Sequence, residues 1–129
     1  MEKQLKVQEL LSGLDVLEKL KDKSLPIKLS YQLARAIKTL REEKETYFQV
    51  IQELVEKYGE RDENNNLKST EDKKGVLIKS EYKQECFEEI DKIDKTLIKI
   101  ELPEFSIEDF DGLGLTVDEV MKIEPILFS

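Results

Sequence analysis

Hydrophobic and polar positions fall into a helical rhythm over most of this chain. Leu33, Ile37, Leu40, Lys44, Tyr47, Ile51, Leu54 and Tyr58 follow one another in alternating steps of four and three residues, the spacing of a single apolar seam on a helix. Only Lys44 interrupts it. Leu29, Ala36, Phe48 and Val55 widen the stripe, and Pro26 and Gly59 delimit it, so the pattern predicts one long helix from Ile27 to Tyr58. Gly59 suits a left-handed helix cap.

Before this helix, Val7, Leu10, Leu11, Leu14, Leu17 and Leu20 form a second stripe, which reads as one amphipathic helix or as two short ones split at Ser12-Gly13. The alternation of Leu5 and Val7 with Gln4, Lys6 and Gln8 also fits a short N-terminal strand ahead of it. After Gly59 the segment to Lys74 is almost wholly polar and predicts a loop or protruding hairpin, followed by the β-prone run Gly75-Val76-Leu77-Ile78. Ser80 is a plausible cap for a third helix to about Asp94, with Tyr82, Cys86, Phe87, Ile90 and Ile93 on its apolar side. Thr96 to Leu102 alternates as a strand and Pro103 ends it. A lone strand is unstable, so this one pairs with Val76 to Ile78, with Leu5 to Val7, or with a strand of another chain.

Two helix starts mark the last stretch. Thr116 with Glu119, flanked by Leu115 and Val120, is a capping box with a hydrophobic staple; Ser106 with Asp109, flanked by Phe105 and Phe110, is a looser version. Gly112 and Gly114 supply the turn between them, and Pro125 is expected to stop the last helix before Ile126-Leu127-Phe128, a triplet that needs a buried home. These elements predict an α+β, predominantly α-helical single domain over 1-129. A long central helix is packed by shorter helices and a small two- or three-stranded sheet, with the polar loop or hairpin at about 60-74.

Charge changes this picture more than composition does. Charged residues make up 39% of the chain, yet the periodic apolar clusters argue against disorder. The net charge of -8 sits in the second half: residues 1 to 58 carry eleven Lys/Arg against ten Asp/Glu, and residues 59 to 129 carry ten against nineteen. From residue 101 onward only Lys122 offsets eight carboxylates. Such a surface disfavours direct nucleic-acid contact, which requires cations to displace counterions, and favours a basic partner. Glu104, Glu108, Asp109, Asp111, Asp118 and Glu119 are therefore the candidate partner-binding residues. Phe105, Phe110, Leu113, Leu115 and Ile123 are interleaved with them, and the caps predict that these side chains fold back on the core. The seam of the 33-58 helix reads as internal core; it would also suit a homo-oligomeric coiled coil, with Lys44 setting register.

Chemical motifs are sparse. There is no histidine for a conventional triad or zinc site, and the one cysteine, Cys86, lies on an apolar helix side where a structural role is expected. Asp62, Asn64 and Asn66 mimic the start of a calcium loop, but Leu67 and Lys73 stand where it needs glycine and glutamate, so turn formation explains them. The carboxylate pairs Asp109 with Asp111 and Asp91 with Asp94 read as capping or solvated groups, and Gly112-Leu113-Gly114 is too short and acidic for a phosphate loop. No cofactor or metal is expected. No apolar run suits a membrane span, and MEKQLKVQELL lacks a signal peptide's apolar region, so a cytoplasmic location is expected.

The order of LPIKLSYQLARAIKTL, a helix ending in EKYGERDENNN, the acidic QECFEEIDKI, a strand leading to ELPEF, and a closing LTVDEVMKIEPIL resembles small helical proteins of unknown function encoded by bacteriophages and prophages of Gram-positive bacteria. The likeness spans most of the chain and includes no catalytic signature. It implies a cytoplasmic, non-enzymatic accessory protein that binds another protein, in virion (tail) assembly or in modulating a host protein. Two alternatives stand beside this one. One is an acidic DNA mimic that inhibits a nucleic-acid-binding host defence protein; the other is a small Mg²⁺-dependent enzyme using clustered carboxylates.

Overall fold

The computed structural model describes residues 1–128. The order of elements is β1 (Glu2–Leu5), α1 (Val7–Leu20), α2 (Ile27–Tyr58), α3 (Lys83–Lys95), β2 (Ile98–Glu101) and α4 (Val117–Leu127), with single 3₁₀ turns at Ser80–Tyr82 and Ile107–Phe110. The fold is α+β and predominantly helical, with a long helix and a two-stranded antiparallel sheet. It divides into two compact units, Met1–Glu45 with Lys95–Ser129, and Thr46–Asp94, so that α2 contributes residues to both. No helix among the described residues is long and apolar enough to cross a membrane.

The first unit holds the principal core. β1 pairs with β2 in the register Glu2↔Glu101, Lys3↔Ile100, Gln4↔Lys99 and Leu5↔Ile98, so the partner of the second strand is the N-terminal one. This strand precedes Val7, which already opens α1. Leu5, Ile100 and Leu102 are buried, and β1 packs on α4, which gives the small sheet the apolar cover that an isolated pair lacks. α1 runs unbroken through Ser12-Gly13 and supplies Leu10, Leu14, Val16, Leu17 and Leu20 to the fully buried set. Each such side chain contributes about 1.5–3 kcal/mol by leaving water. α2 adds Leu29, Leu33, Ala36, Ile37 and Leu40 to the same cluster.

Gly13 explains why that position does not break the helix. A Cβ there would overlap Ile126 Cδ1 and lie 3.1 Å from both Ile126 Cγ1 and the Lys122 carbonyl oxygen. The glycine lets α4 approach α1 closely, and this pair forms the main helix contact of the unit. Pro125, expected to end α4, lies inside it, and the helix continues to Leu127. An interior proline costs a helix about 3 kcal/mol. Ile126 and Leu127, both wholly buried, each return a comparable amount by staying in the core. The terminal triplet thus finds its home: Phe128 packs on the same cluster and its ring meets Phe110 edge-on at 5.7 Å.

In the second unit the seam of α2 is only partly covered. Tyr58 and Cys86 are buried, whereas Tyr47, Ile51 and Leu54 are half-buried and Lys44, just before the unit, is exposed. Tyr47 donates to Asp94 at 3.1 Å and Tyr58 to Glu89 at 3.2 Å, which ties α2 to α3. Phe87, expected on the buried side of α3, is 63% exposed. It lies about 100° around the helix from Cys86, beyond the face that α2 covers. Ser80 opens a 3₁₀ turn rather than capping α3.

Gly59 is not left-handed, as a cap glycine would be. It is needed because a Cβ would sit 2.5 Å from both the Val55 carbonyl oxygen and Leu67 Cδ2. Beyond it, Val76 to Ile78 forms no regular strand. Instead three short limbs close on one another: Glu60 N–H donates to Leu77 O, Leu77 N–H to Lys68 O and Lys68 N–H to Glu60 O, each at 2.8 Å. Isolated bridges between Gly59 and Ile78, Arg61 and Leu67, and Ser69 and Val76 flank this ring. The three limbs satisfy one another's backbone groups, and the half-buried Leu67 and Val76 pack toward Gly59.

Candidate functional site

An open cleft of about 780 Å³ lies within the first unit, walled by two segments far apart in sequence. One wall is the α1–α2 connector and the start of α2, with Ser24, Leu25, Pro26, Lys28, Leu29 and Gln32. The other is the segment after β2, with Glu104, Phe105, Ser106, Glu108, Asp109, Asp111 and Leu113. Four carboxylates and one lysine therefore line the cleft together with the apolar Leu25, Pro26, Leu29, Phe105 and Leu113.

The acidic wall is held by its own aromatic residues and turn chemistry. Phe105 contacts Phe110 with ring centres 5.8 Å apart, and Phe110 is buried in the core. Such pairs add about 0.5–1.5 kcal/mol beyond area burial. Ser106 N–H donates to Asp109 Oδ2 at 2.9 Å, and its hydroxyl donates to the Glu108 carboxylate. That start produces one 3₁₀ turn, Ile107–Phe110, where the sequence suggested a longer helix. Gly112 and Gly114, with φ of 77° and 73°, turn the chain toward α4 in a backbone conformation that other residues rarely adopt. Lys23 reaches across from the connector to the Leu113 carbonyl at 2.5 Å. The Glu108 carboxyl is held below its usual range by the Ser106 hydroxyl, so it is charged at neutral pH. Glu104 and Asp111 are exposed.

The six candidate residues thus fall into two groups. Glu104, Glu108, Asp109 and Asp111 line the cleft. Asp118 and Glu119 belong to the start of α4: Asp118 pairs with Lys122 at 3.0 Å, and Glu119 accepts from Thr116 N–H at 3.0 Å while its own N–H donates to Thr116 Oγ1 at 3.1 Å. The Thr116 bond, with help from Lys19 and Lys23, lowers the Glu119 pKa. Of the interleaved apolar residues, Phe110 and Ile123 are buried and Phe105, Leu113 and Leu115 pack against the core. The cleft's second wall was not foreseen. Its only sequence signal is Pro26, which marks a connector without saying what lies opposite.

Other groups considered for chemistry have structural roles. Cys86 is buried, and burial, with Glu89 nearby, pushes its thiol upward, which keeps it protonated and weakly nucleophilic. Asp62 Oδ1 accepts from Asn64 N–H at 2.8 Å and Asn66 N–H at 3.0 Å, so its carboxylate shapes a turn. Among the described residues, no three His, Cys, Asp or Glu side chains converge as a metal site requires. Comparison of the chain with protein families, with curated proteins and with solved structures gives no match.

Proposed function

We propose that this chain works by stoichiometric protein binding, as a phage- or prophage-encoded accessory protein of the host cytoplasm, and that the acidic cleft is its working surface. The mode is contact rather than turnover. The observation that carries this reading is the combination within the cleft: four carboxylates beside apolar lining residues, on a segment anchored to the core by Phe105 and Phe110. A pre-formed surface of this composition suits a basic protein segment with an apolar anchor, because charges steer encounter and a desolvated apolar contact holds the complex. The sequence resemblance to phage proteins supplies the biological setting, either virion (tail) assembly or the modulation of a host protein.

Ile107 stands beside the cleft and is largely exposed, so it can carry a photo-reactive side chain without disturbing the core. Cross-linking from position 107 in a bacterial cytoplasm is expected to give one or a few discrete protein adducts, lost when Glu104 and Asp111 are both replaced by Lys. The same probe at Phe87 serves as the control. Adducts that persist through the charge reversal, or that form equally at position 87, would sink the reading.

A further inference from the structure

The outward side of α2 in the first unit carries a stripe that complements the cleft. Ile27, Tyr31, Arg35 and Lys38 follow at steps of four, four and three, so they share one face. Ile27 is 84% and Tyr31 66% exposed, unusual for large apolar groups on a helix that packs a core. From Ile27 to Arg41 the helix bears Lys28, Arg35, Lys38 and Arg41 and no carboxylate. Arg41 is committed to Glu18, at 2.5 Å through Nε. No carboxylate among the described residues pairs with Arg35 or Lys38.

This stripe cannot enter the cleft of its own chain. Lys28, Leu29 and Gln32 of the same helix line that cleft, and Lys28 and Gln32 lie about 20° and 60° around the helix from Arg35, so α2 is itself a wall of the cleft. The cleft and the stripe are therefore neighbouring faces that meet at Pro26–Lys28. Two neighbouring surfaces of opposite charge, one with exposed and the other with half-buried apolar groups, together form the self-complementary patch of a two-fold contact in which each copy gives its stripe and receives its partner's.

We propose that the acidic cleft takes up the Ile27–Tyr31–Arg35–Lys38 stripe of a second copy of this chain, in a two-fold dimer. Arg35 and Lys38 of one copy face Glu104, Glu108 and Asp111 of the other, while Ile27 and Tyr31 lie against Phe105 and Leu113. Tyr and Arg are the side chains most favoured at such contacts. The inference rests on the reading of the cleft as the binding surface and specifies its occupant. A foreign basic segment is the competing occupant.

Sedimentation equilibrium on the full chain tests it with two charge-reversed variants, Arg35→Glu with Lys38→Glu, and Glu104→Lys with Asp111→Lys. The expected result is a wild-type dimer that weakens by about tenfold or more between 50 and 500 mM NaCl. Each variant alone is then monomeric, because both copies of the contact are repulsive. An equimolar mixture recovers a dimer, because each variant supplies what the other lacks, and this recovery also shows that both are folded. The neutral Arg35→Gln with Lys38→Gln variant weakens association without repulsion. The proposal is overturned if the wild type stays monomeric up to about 1 mM, the Kd at which binding is worth only about 4 kcal/mol. It is also overturned if either variant dimerises like the wild type, or if the mixture fails to pair. A monomeric wild type whose position-107 adducts still depend on Glu104 and Asp111 would assign the cleft to another protein and leave the protein-binding reading standing.

Discussion

Replacing Gly13 by Ala sets two effects of opposite sign against each other. In an exposed helix the change would stabilise by about 1 kcal/mol, since Ala is the better helix former. Here the new methyl overlaps Ile126 Cδ1 and sits 3.1 Å from the Lys122 carbonyl, inside ordinary contact distance. Ile126 is wholly buried and has no open side to swing into, so α4 must shift or the side chain must leave its rotamer. Overpacking of this kind costs about 1–3 kcal/mol. The balance is a net loss of about 1 kcal/mol, which for a chain this long lowers the melting temperature by roughly 4 °C. Urea unfolding followed by circular dichroism measures it, and the companion Ile126→Val isolates the cause because it removes the overlapping methyl. Alone, Ile126→Val should cost about 0.5–1.5 kcal/mol. Together the two changes should cost less than their sum by about 1 kcal/mol. A Gly13→Ala variant that is more stable than wild type, with strict additivity in the pair, would show that the close approach of α1 and α4 is not as described.

Two further perturbations probe other parts of the fold. Arg41 donates through Nε and Nη2 to Glu18, each at 2.5 Å, and this bond is the main reason the Glu18 pKa falls from 4.5 to about 2, with Lys21 assisting. A carboxylate with a lowered folded-state pKa contributes stability that is present above about 4.5 and is lost as pH falls toward 2. Arg41→Gln should therefore flatten the stability profile in that window and leave its shape near neutral pH unchanged; an unaltered acid limb would refute the pairing, and half a molar NaCl should blunt the wild-type effect because Arg41 is exposed. In the second unit, Gly59→Ala places a methyl against the Val55 carbonyl and Leu67, so hydrogen exchange at the Glu60, Lys68 and Leu77 amides should speed up together, while equal protection in both proteins would argue against the closed ring of three bonds.

Sequence periodicity located elements well and their environments poorly. Both ends of α2 were legible because Pro26 and Gly59 bracket a seam broken only at Lys44, and α4 began where Thr116 and Glu119 cap it reciprocally. The Thr96 to Leu102 alternation marked β2, but its partner lies about a hundred residues away and no local signal names it. Breaker residues misled for a common reason. Gly13 and Pro125 both look like interruptions when read locally, and both sit where the packing of α1 on α4 decides the outcome. The seam itself gave no hint that its first half would be buried and its second half only partly so. Burial depends on how many neighbours each unit provides, and the spacing of Ile51 is the same as that of Ile37. The site was legible in part for the same reason: charge counting found the acidic residues, and only the folded connector separates the four that share a cleft from the two that secure α4.

Titration calorimetry of a protein cross-linked from position 107 tests the central claim most directly, once that protein is purified and measured against the wild type and against Glu104→Lys with Asp111→Lys. The two replaced carboxylates are exposed, so both proteins should melt alike. The account predicts saturable binding at fixed stoichiometry, weakened by salt, and at least about a hundredfold weaker for the variant, as expected for two charge pairs turned repulsive. Equal affinity for wild type and variant, or conversion of the partner with no lasting complex, would contradict it.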